Sequence, residues 1–205
     1  MSDMDNIQLT FFPGSPFARM ARILIMEWNL PVTPTQQEFP PTPDLFRANP
    51  LGQVPALIMP DGTAVFPTFL VLEHLWEMAG KPTDAYAPQS QRQILMTILQ
   101  ACDALVAAKY QDWTGLGPVR ENTIGYDPAE RHLERLQKTL DWLESLIPSG
   151  ELGQGITLPN IALSSTVLWM DVRGGPNWRG RPNMEAAVDE IASRSSFTQT
   201  APQPR

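Results

Sequence analysis

Cysteine and histidine are scarce in this chain, which has one cysteine, Cys102, and two histidines, His74 and His132. A single cysteine excludes an internal disulfide and any CxxC redox or zinc motif. The two histidines lie far apart on predicted helices, where we interpret them as packing or surface residues. The sequence therefore predicts no metal site, because a transition metal needs several nitrogen, sulfur or carboxylate ligands close together.

Basic residues are also few, with 15 lysines and arginines against 22 aspartates and glutamates and a formal net charge of -7. Binding to nucleic acid or to an anionic membrane surface depends on clustered basic residues, so we expect neither partner. No apolar run approaches about 18 residues, and the N-terminus lacks the basic and apolar regions of an export signal. These absences predict a cytoplasmic protein whose partner is a small molecule or another protein.

Residues 49–73 predict a strand, a tight turn, a returning strand and the start of a helix. A short apolar run begins at Val54, and Asp61-Gly62 is typical of a two-residue hairpin turn. Pro55 has no N–H and is therefore expected to open a strand. The N–H and C=O of Val54 would then be free to pair with an extended ligand. The residues alone leave open whether the bond before Pro55 is trans or cis.

The residues upstream predict a strand over Ile7 to Phe12 that ends in a Pro-Gly turn. Ser15 directly precedes Pro16, the pattern of an N-cap followed by the first residue of a helix. We expect that helix to run to about Asn29, and Thr33 to Phe39 to form a parallel edge strand. With the hairpin and a helix from about Thr68 to Met78, the order is βαβ-ββα.

The second part of the chain reads as helical. Residues 81–88 are polar and contain two prolines, which suits a connector between domains. Beyond them, apolar residues recur at helical spacing up to about Trp113, after Asp127-Pro128, after Thr157 and near Met184. The predicted organisation is an α/β domain over residues 1–80, a linker over 81–88 and an all-helical domain over 89–205.

Three stretches carry a resemblance to a known family. They are NPLGQVPAL with the DGT turn after it, the run from Ser15 to Arg19, and the helix from Ile156 to Arg173. In this order and separation they resemble the cytosolic glutathione S-transferase superfamily, and its bacterial members most. The resemblance implies a thioredoxin-like N-terminal domain followed by a C-terminal helical bundle domain. It also implies a cytoplasmic homodimer that uses glutathione as co-substrate in detoxification.

The same resemblance implies roles for individual residues. Ser15 would stabilise the glutathione thiolate as the catalytic residue, because a helix N-terminus favours an anion and lowers the pKa of a thiol held there. Considered by itself, Ser15 could equally be only a helix cap. The remaining positions implied to bind glutathione are Gln53, Val54, Pro55, Pro67 and Thr68.

Position 67 departs from the family pattern. The family usually places an acidic residue there, followed by Ser, and the pair binds the γ-glutamyl end of glutathione. Thr68 keeps a hydroxyl and an N–H for the carboxylate, whereas Pro67 has nothing to hold the ammonium. Loss of such a charge-assisted hydrogen bond typically costs about 1.5–3 kcal/mol, so we expect weakened glutathione binding.

An apolar electrophile would need its own pocket, for which the resemblance and the aromatic pattern suggest four side chains. Each of them could instead be ordinary core. They are Phe12, Phe17, Tyr110 and Trp113.

Two classes of function follow. The first is a transferase-like enzyme in which the glutathione thiolate attacks a small apolar electrophile. The alternative, motivated by Pro67, is a non-catalytic scaffold or regulatory binding protein with weak or lost glutathione binding. A thiol oxidoreductase is disfavoured because position 15 is not a cysteine.

Overall fold

The computed structural model describes residues 7–115 and 125–202, which form two compact units. The first unit comprises the described residues up to Tyr86 together with those from Ala192 onward, and the second runs from Ala87 to Ile191. Within the described ranges, no helix combines the length and apolar character needed to cross a membrane.

The first unit is built on a four-stranded sheet in the order β2-β1-β3-β4. The strand β2 pairs parallel to β1, and the other two neighbouring pairs are antiparallel. This is the thioredoxin-like arrangement that the resemblance implied, and β2 lies at the expected edge. The elements are β1 (Ile7–Phe11), α1 (Pro16–Glu27), β2 (Val32–Gln36), α2 (Pro43–Ala48), β3 (Ala56–Ile58), β4 (Ala64–Val65) and α3 (Thr68–Met78).

Helix starts in this unit follow the sequence closely. Ser15 caps α1 and Thr42 caps α2, and in both cases a proline occupies the first helical position, where its missing N–H is not needed. The helix α1 buries Met20 and Leu24, and the central strand β1 buries Ile7 and Leu9. Burial of these apolar side chains stabilises the sheet-and-helix arrangement and places the start of α1 directly after β1.

The hairpin between β3 and β4 differs in one detail from the expectation. Ile58 pairs with Ala64, and the Met59 N–H donates to Thr63 O at 2.8 Å, so the loop has three residues, 60–62, and not two. Gly62 has φ +83°, and the Asp61 carboxylate accepts from the Thr63 N–H at 2.9 Å. Three-residue hairpin loops commonly need a glycine in this left-handed conformation, which explains the longer turn.

The second unit is helical throughout its described secondary structure. Asp127 caps α5 by accepting from the Ala129 N–H, and Thr157 caps α6 by accepting from the Asn160 N–H. Cys102 is completely buried on α4. The elements are α4 (Pro88–Trp113), α5 (Pro128–Leu146), a short 3-10 turn (Ile147–Ser149), α6 (Leu158–Arg173) and α7 (Pro182–Ala192).

A final helix, α8 (Ser195–Gln199), had no counterpart in the sequence expectations, whose last helix was the one near Met184. It packs against α1, and Phe197 is 1% exposed. The segment from Ala192 onward therefore belongs by packing with the first unit, although it follows the helical unit in the chain. The domain limits predicted from the sequence stay a prediction.

Candidate functional site

The turn between β1 and α1 presents Ser15 at the positive end of a twelve-residue helix. Its N–H donates to Phe12 O at 3.0 Å, and its Oγ accepts from the Ala18 N–H at 3.2 Å. A hydroxyl has one proton to donate in addition to its acceptor sites. Among residues 7–115 and 125–202 no group accepts that proton, so the half-buried hydroxyl keeps a free donor.

The charges around this turn are positive although the whole chain is acidic. The first turn of α1 has no acidic residue, and the Arg22 guanidinium lies 4.5 Å from the centre of the Phe11 ring. Burial lowers the pKa of Arg22, and burial together with the charge of Arg22 lowers the pKa of Arg19 to about 10. Within the described ranges neither guanidinium forms an ion pair, so their charge is not neutralised locally.

The loop that leads into β3 is held by the side chain of Asn49, which is 1% exposed. Its Nδ2 donates to Gln53 O at 2.8 Å, and its Oδ1 accepts from the Leu51 N–H at 3.0 Å. Gly52 has φ +60°, and a Cβ there would overlap the Phe46 ring. The Asn49 side chain thus fixes the backbone that precedes Val54, and Gly52 permits its left-handed turn.

Val54 presents an unpaired peptide edge at the end of this loop. No group in the described part of the chain hydrogen-bonds to its N–H or its C=O. The register Thr10 to Ala56, continued by two residues on each strand, places Val54 opposite Phe12, just before the Ser15 turn. The Val54–Pro55 bond, left open by the residues alone, is cis.

A small apolar cluster joins the Val54 loop to the Ser15 turn. It contains Phe11, Ala18, Leu45 and Val54, and the half-buried Phe12 packs against it. Because the Ala18 N–H bonds to Ser15 Oγ, the cluster sets the position of the hydroxyl relative to the Val54 edge. The two segments are therefore brought together within the first unit.

The start of α3 shows the consequence of having a proline at position 67, where the family usually has an acidic residue. Pro67 stands at the N-cap position without a side-chain cap, and the first turn has no acidic residue. Thr68 is half-buried, and no described group bonds to its hydroxyl. This helix end thus offers a hydroxyl and a positive dipole for a carboxylate, but no carboxylate of its own for an ammonium.

The other predicted residues have weaker structural signatures. The Gln53 side chain is exposed, and Phe17 is half-buried at the first turn of α1. Phe12 packs edge-to-face on Phe39 at 5.7 Å, which fits the core interpretation as well as the pocket interpretation. The roles assigned to Gln53 and Phe17 stay predictions.

Tyr110 and Trp113 belong to the helical unit. Their ring centres lie 5.5 Å apart, and Trp113 also contacts Trp169 at 5.9 Å. Tyr110 is 43% exposed, whereas Trp169 is buried. The three rings form an aromatic group at the end of α4, and the assignment of Tyr110 and Trp113 to an electrophile pocket stays a prediction.

Two residues of the site were given no role from the sequence. Asn49 and Arg19 stood inside the motifs that carried the resemblance, yet a polar residue in a loop or on a helix is usually exposed. Each is at most 4% exposed, and each bonds backbone atoms elsewhere in the first unit. Only the three-dimensional structure reveals this, because no periodic pattern marks a buried polar side chain.

Comparison with known proteins gives consistent matches. The family model of the glutathione S-transferase N-terminal domain matches residues 14–78. A relative from Escherichia coli K12, the uncharacterized GST-like protein YibF, is 29% identical over 200 residues, which span 92% of this chain and 95% of that protein.

Solved structures share the fold over nearly the whole chain. The glutathione S-transferase of Methylobacillus flagellatus KT, solved with glutathione bound, has a TM-score of 0.80 at 22% identity and covers 96% of this chain and 100% of its own. The enzyme of Methylobacterium radiotolerans, in complex with glutathione sulfonate, has a TM-score of 0.80 at 23% identity, with coverages of 98% and 96%. Residues 14–78 thus match the glutathione S-transferase N-terminal domain, and nearly the whole chain shares the fold of these solved glutathione S-transferases.

Proposed function

We propose that this protein is a glutathione transferase-like enzyme in which the thiolate of glutathione attacks a small apolar electrophile. One observation carries the proposal: the free Ser15 hydroxyl and the unpaired Val54 peptide edge lie on two segments joined by one apolar cluster. To bind and activate a tripeptide with a central cysteine, a site needs a hydrogen-bond donor for the sulfur and a free peptide edge for the cysteinyl backbone.

Ser15 supplies the electrostatic part of the reaction. Its hydroxyl donates a hydrogen bond to the sulfur, and the N-terminus of α1 adds positive potential, so both favour the thiolate over the thiol. Each unit of pKa depression corresponds to about 1.4 kcal/mol and to nearly tenfold more nucleophile near pH 7. Ser15 stays protonated throughout, and the thiol proton leaves to solvent before the sulfur–carbon bond forms.

The remaining residues bind and orient. The Val54 N–H and C=O pair with the cysteinyl unit in the manner of an added strand, and Pro55 opens the strand behind them. The Thr68 hydroxyl and N–H bind the γ-glutamyl carboxylate at the start of α3, and Gln53 contacts the outer part of the tripeptide. Pro67 borders the γ-glutamyl end without a charge, which weakens binding.

The second substrate and the assembly complete the proposal. The electrophile is small and apolar, and the side chains predicted to contact it are Phe12, Phe17, Tyr110 and Trp113. The enzyme is proposed to be a cytoplasmic homodimer acting in detoxification. Large exposed side chains on the first unit, Phe46, Leu51 and Leu70, are consistent with a covered surface, and sedimentation of the purified protein tests the dimer.

A non-catalytic binding protein is the second candidate, because Pro67 removes the charge that would hold the ammonium. A thiol oxidoreductase has less support, since the single cysteine, Cys102, is buried and burial raises its pKa to about 12. A thiol with that pKa supplies almost no thiolate near neutral pH.

Isothermal calorimetry with glutathione separates the two leading candidates. Saturable binding that is weakened by Ser15→Ala, together with turnover of an aromatic halide, is the expected result for the enzyme. Absence of heat and of a thermal shift at millimolar glutathione would favour the binding protein and overturn the proposed activity.

A further inference from the structure

Arg19 is a buried cation in the first turn of α1, and it is 4% exposed. Its Nη1 is buried without a hydrogen-bond partner, and no carboxylate in the described ranges pairs with it. Burying an unpaired charge is costly, and an aliphatic side chain would fill the same volume at a lower cost. General packing therefore does not explain why a guanidinium occupies this position.

The guanidinium holds the last helix of the chain. Its Nη2 donates to Phe197 O at 3.0 Å, its Nε donates to Thr200 Oγ1 at 3.4 Å, and its central carbon lies 5.4 Å from the centre of the Phe197 ring. Both partner residues are 1% exposed. Contacts to a carbonyl, a hydroxyl and a ring fix the guanidinium plane in one orientation.

The segment 194–200 is attached to α1 at a second point. Arg194 Nε and Nη2 donate to the two oxygens of Glu27 at 2.9 and 2.6 Å, and the Ser196 hydroxyl also donates to Glu27. Glu27 is the last residue of α1, whereas Arg19 is in the first turn. With a rise of about 1.5 Å per residue, the two attachments lie roughly 12 Å apart along the helix.

Only the Arg19 attachment is close to the Ser15 turn. The Arg19 N–H donates to Ser15 O at 3.1 Å, and the neighbouring Ala18 N–H donates to Ser15 Oγ at 3.2 Å. Helix ends fray unless they are held by tertiary contacts. An anchor on the Arg19 side chain therefore restricts the backbone that sets the position of the Ser15 hydroxyl.

We propose that Arg19 is a positioning residue that holds the Ser15 turn in place through its contacts with the C-terminal segment 194–200. The inference rests on the proposed role of Ser15 in thiolate stabilisation. Small displacements of a positioned group are sufficient to reduce its effect on a reacting atom substantially. The charge of Arg19 alone is the rival explanation, and the choice of substitutions separates the two.

Three variants of the full-length protein test the proposal. Arg19→Met removes the anchor near Ser15, and Arg19→Lys keeps the charge but cannot reach Phe197 O and Thr200 Oγ1 together. Glu27→Gln is the matched control, because it weakens the attachment of the same segment at the far end of α1. Hydrogen–deuterium exchange of the ligand-free protein and ultraviolet titration of the bound glutathione thiol are the measurements.

In Arg19→Met we expect faster exchange in the peptide around residues 14–20 and a thiol pKa raised by about half a unit to one unit, which means three- to tenfold less thiolate. Arg19→Lys should show smaller changes in the same direction, and it also serves if the methionine variant does not fold. Glu27→Gln should leave both quantities at their wild-type values.

Equal exchange in all variants would overturn the anchoring, and a full return of the thiol pKa to the wild-type value in Arg19→Lys would assign the effect to charge. Failure of the wild-type protein to bind glutathione would overturn the proposed function instead. The exchange comparison needs no ligand and would still decide whether Arg19 holds the turn.

Discussion

Replacing Ser15 by alanine removes two interactions whose consequences can be measured separately. The first is the helix cap, in which Ser15 Oγ accepts from the Ala18 N–H at 3.2 Å. Loss of such a cap typically lowers the free energy of unfolding by about 0.5–2 kcal/mol. The second is the proposed hydrogen bond from the hydroxyl to sulfur, which affects only the protein with glutathione bound.

Loss of the hydrogen bond from the Ser15 hydroxyl to sulfur determines how far the pKa of the bound thiol should rise. A hydrogen bond to a charged group contributes about 1.5–3 kcal/mol, and one pKa unit corresponds to 1.36 kcal/mol. Because the hydroxyl favours the charged form, its removal should raise the pKa of the bound thiol by about one to two units. The thiolate fraction, and with it the rate below that pKa, should fall by roughly 10- to 150-fold.

Ultraviolet absorbance of the thiolate, followed while the pH of the glutathione complex is raised, measures this pKa directly. Thr42→Ala is the matched control, because Thr42 caps α2 through the Leu45 N–H at 3.4 Å and also precedes a proline. It should lower the melting temperature without moving the thiol pKa. Ser15→Thr keeps a hydroxyl and should restore most of the thiolate.

An unchanged thiol pKa in Ser15→Ala, alongside a lowered melting temperature, would refute the reasoning. Ser15 would then be a helix cap only, and the first turn would lack its proposed chemical role.

Three further predictions follow from the described contacts. Asn49→Ala should raise the dissociation constant of glutathione by about tenfold in calorimetry, because it frees the loop before Val54. Asn49→Asp keeps the acceptor for the Leu51 N–H and should have a smaller effect. Equal binding by the wild type and both variants would contradict a role of the Asn49 side chain in holding this loop. A glutathione analogue without the amino group should have a dissociation constant within about threefold of that of glutathione, because position 67 has no carboxylate to bind the ammonium. Much weaker binding of the analogue would show that another acidic residue binds the ammonium. The hydrogen bond from Arg194 lowers the pKa of Glu27 below its ordinary 4.5, so this pair stabilises the fold above that pH, and the contribution is lost as the pH falls through the lowered pKa. Glu27→Gln should therefore make the melting temperature fall less steeply as the pH is lowered. A curve of melting temperature against pH that runs parallel to that of the wild type would contradict this prediction.

Much of the first unit could be predicted because local sequence signals mark where its helices begin and end. Ser15-Pro16 marks the start of α1, and the helix expected from Thr68 to Met78 has those limits in the structure. The turn at Asp61-Gly62 was placed correctly, but its length depends on the register of two short strands, which the turn residues do not determine.

The helix α8 was missed for a physical reason. A five-residue helix has little stability of its own, so the contacts of Phe197 and Thr200 with Arg19 maintain it. Such contacts join positions at opposite ends of the chain, and local sequence patterns carry no information about them. The candidate site shows the same division, since Ser15 and Val54 were given roles from their motifs, whereas the hydrogen bonds of the buried Asn49 side chain depend on the folded loop.

The return of the last helix to the first has a consequence for biosynthesis. The Arg19 guanidinium leaves the ribosome 178 residues before the carbonyl of Phe197 that receives it. The first unit therefore cannot complete its packing until residues 194–200 have been synthesised, even though most of its residues emerge early. A prematurely terminated chain, or one shortened just before Arg194, would expose the face of α1 that the final helix covers and would offer chaperones and proteases an unfinished surface.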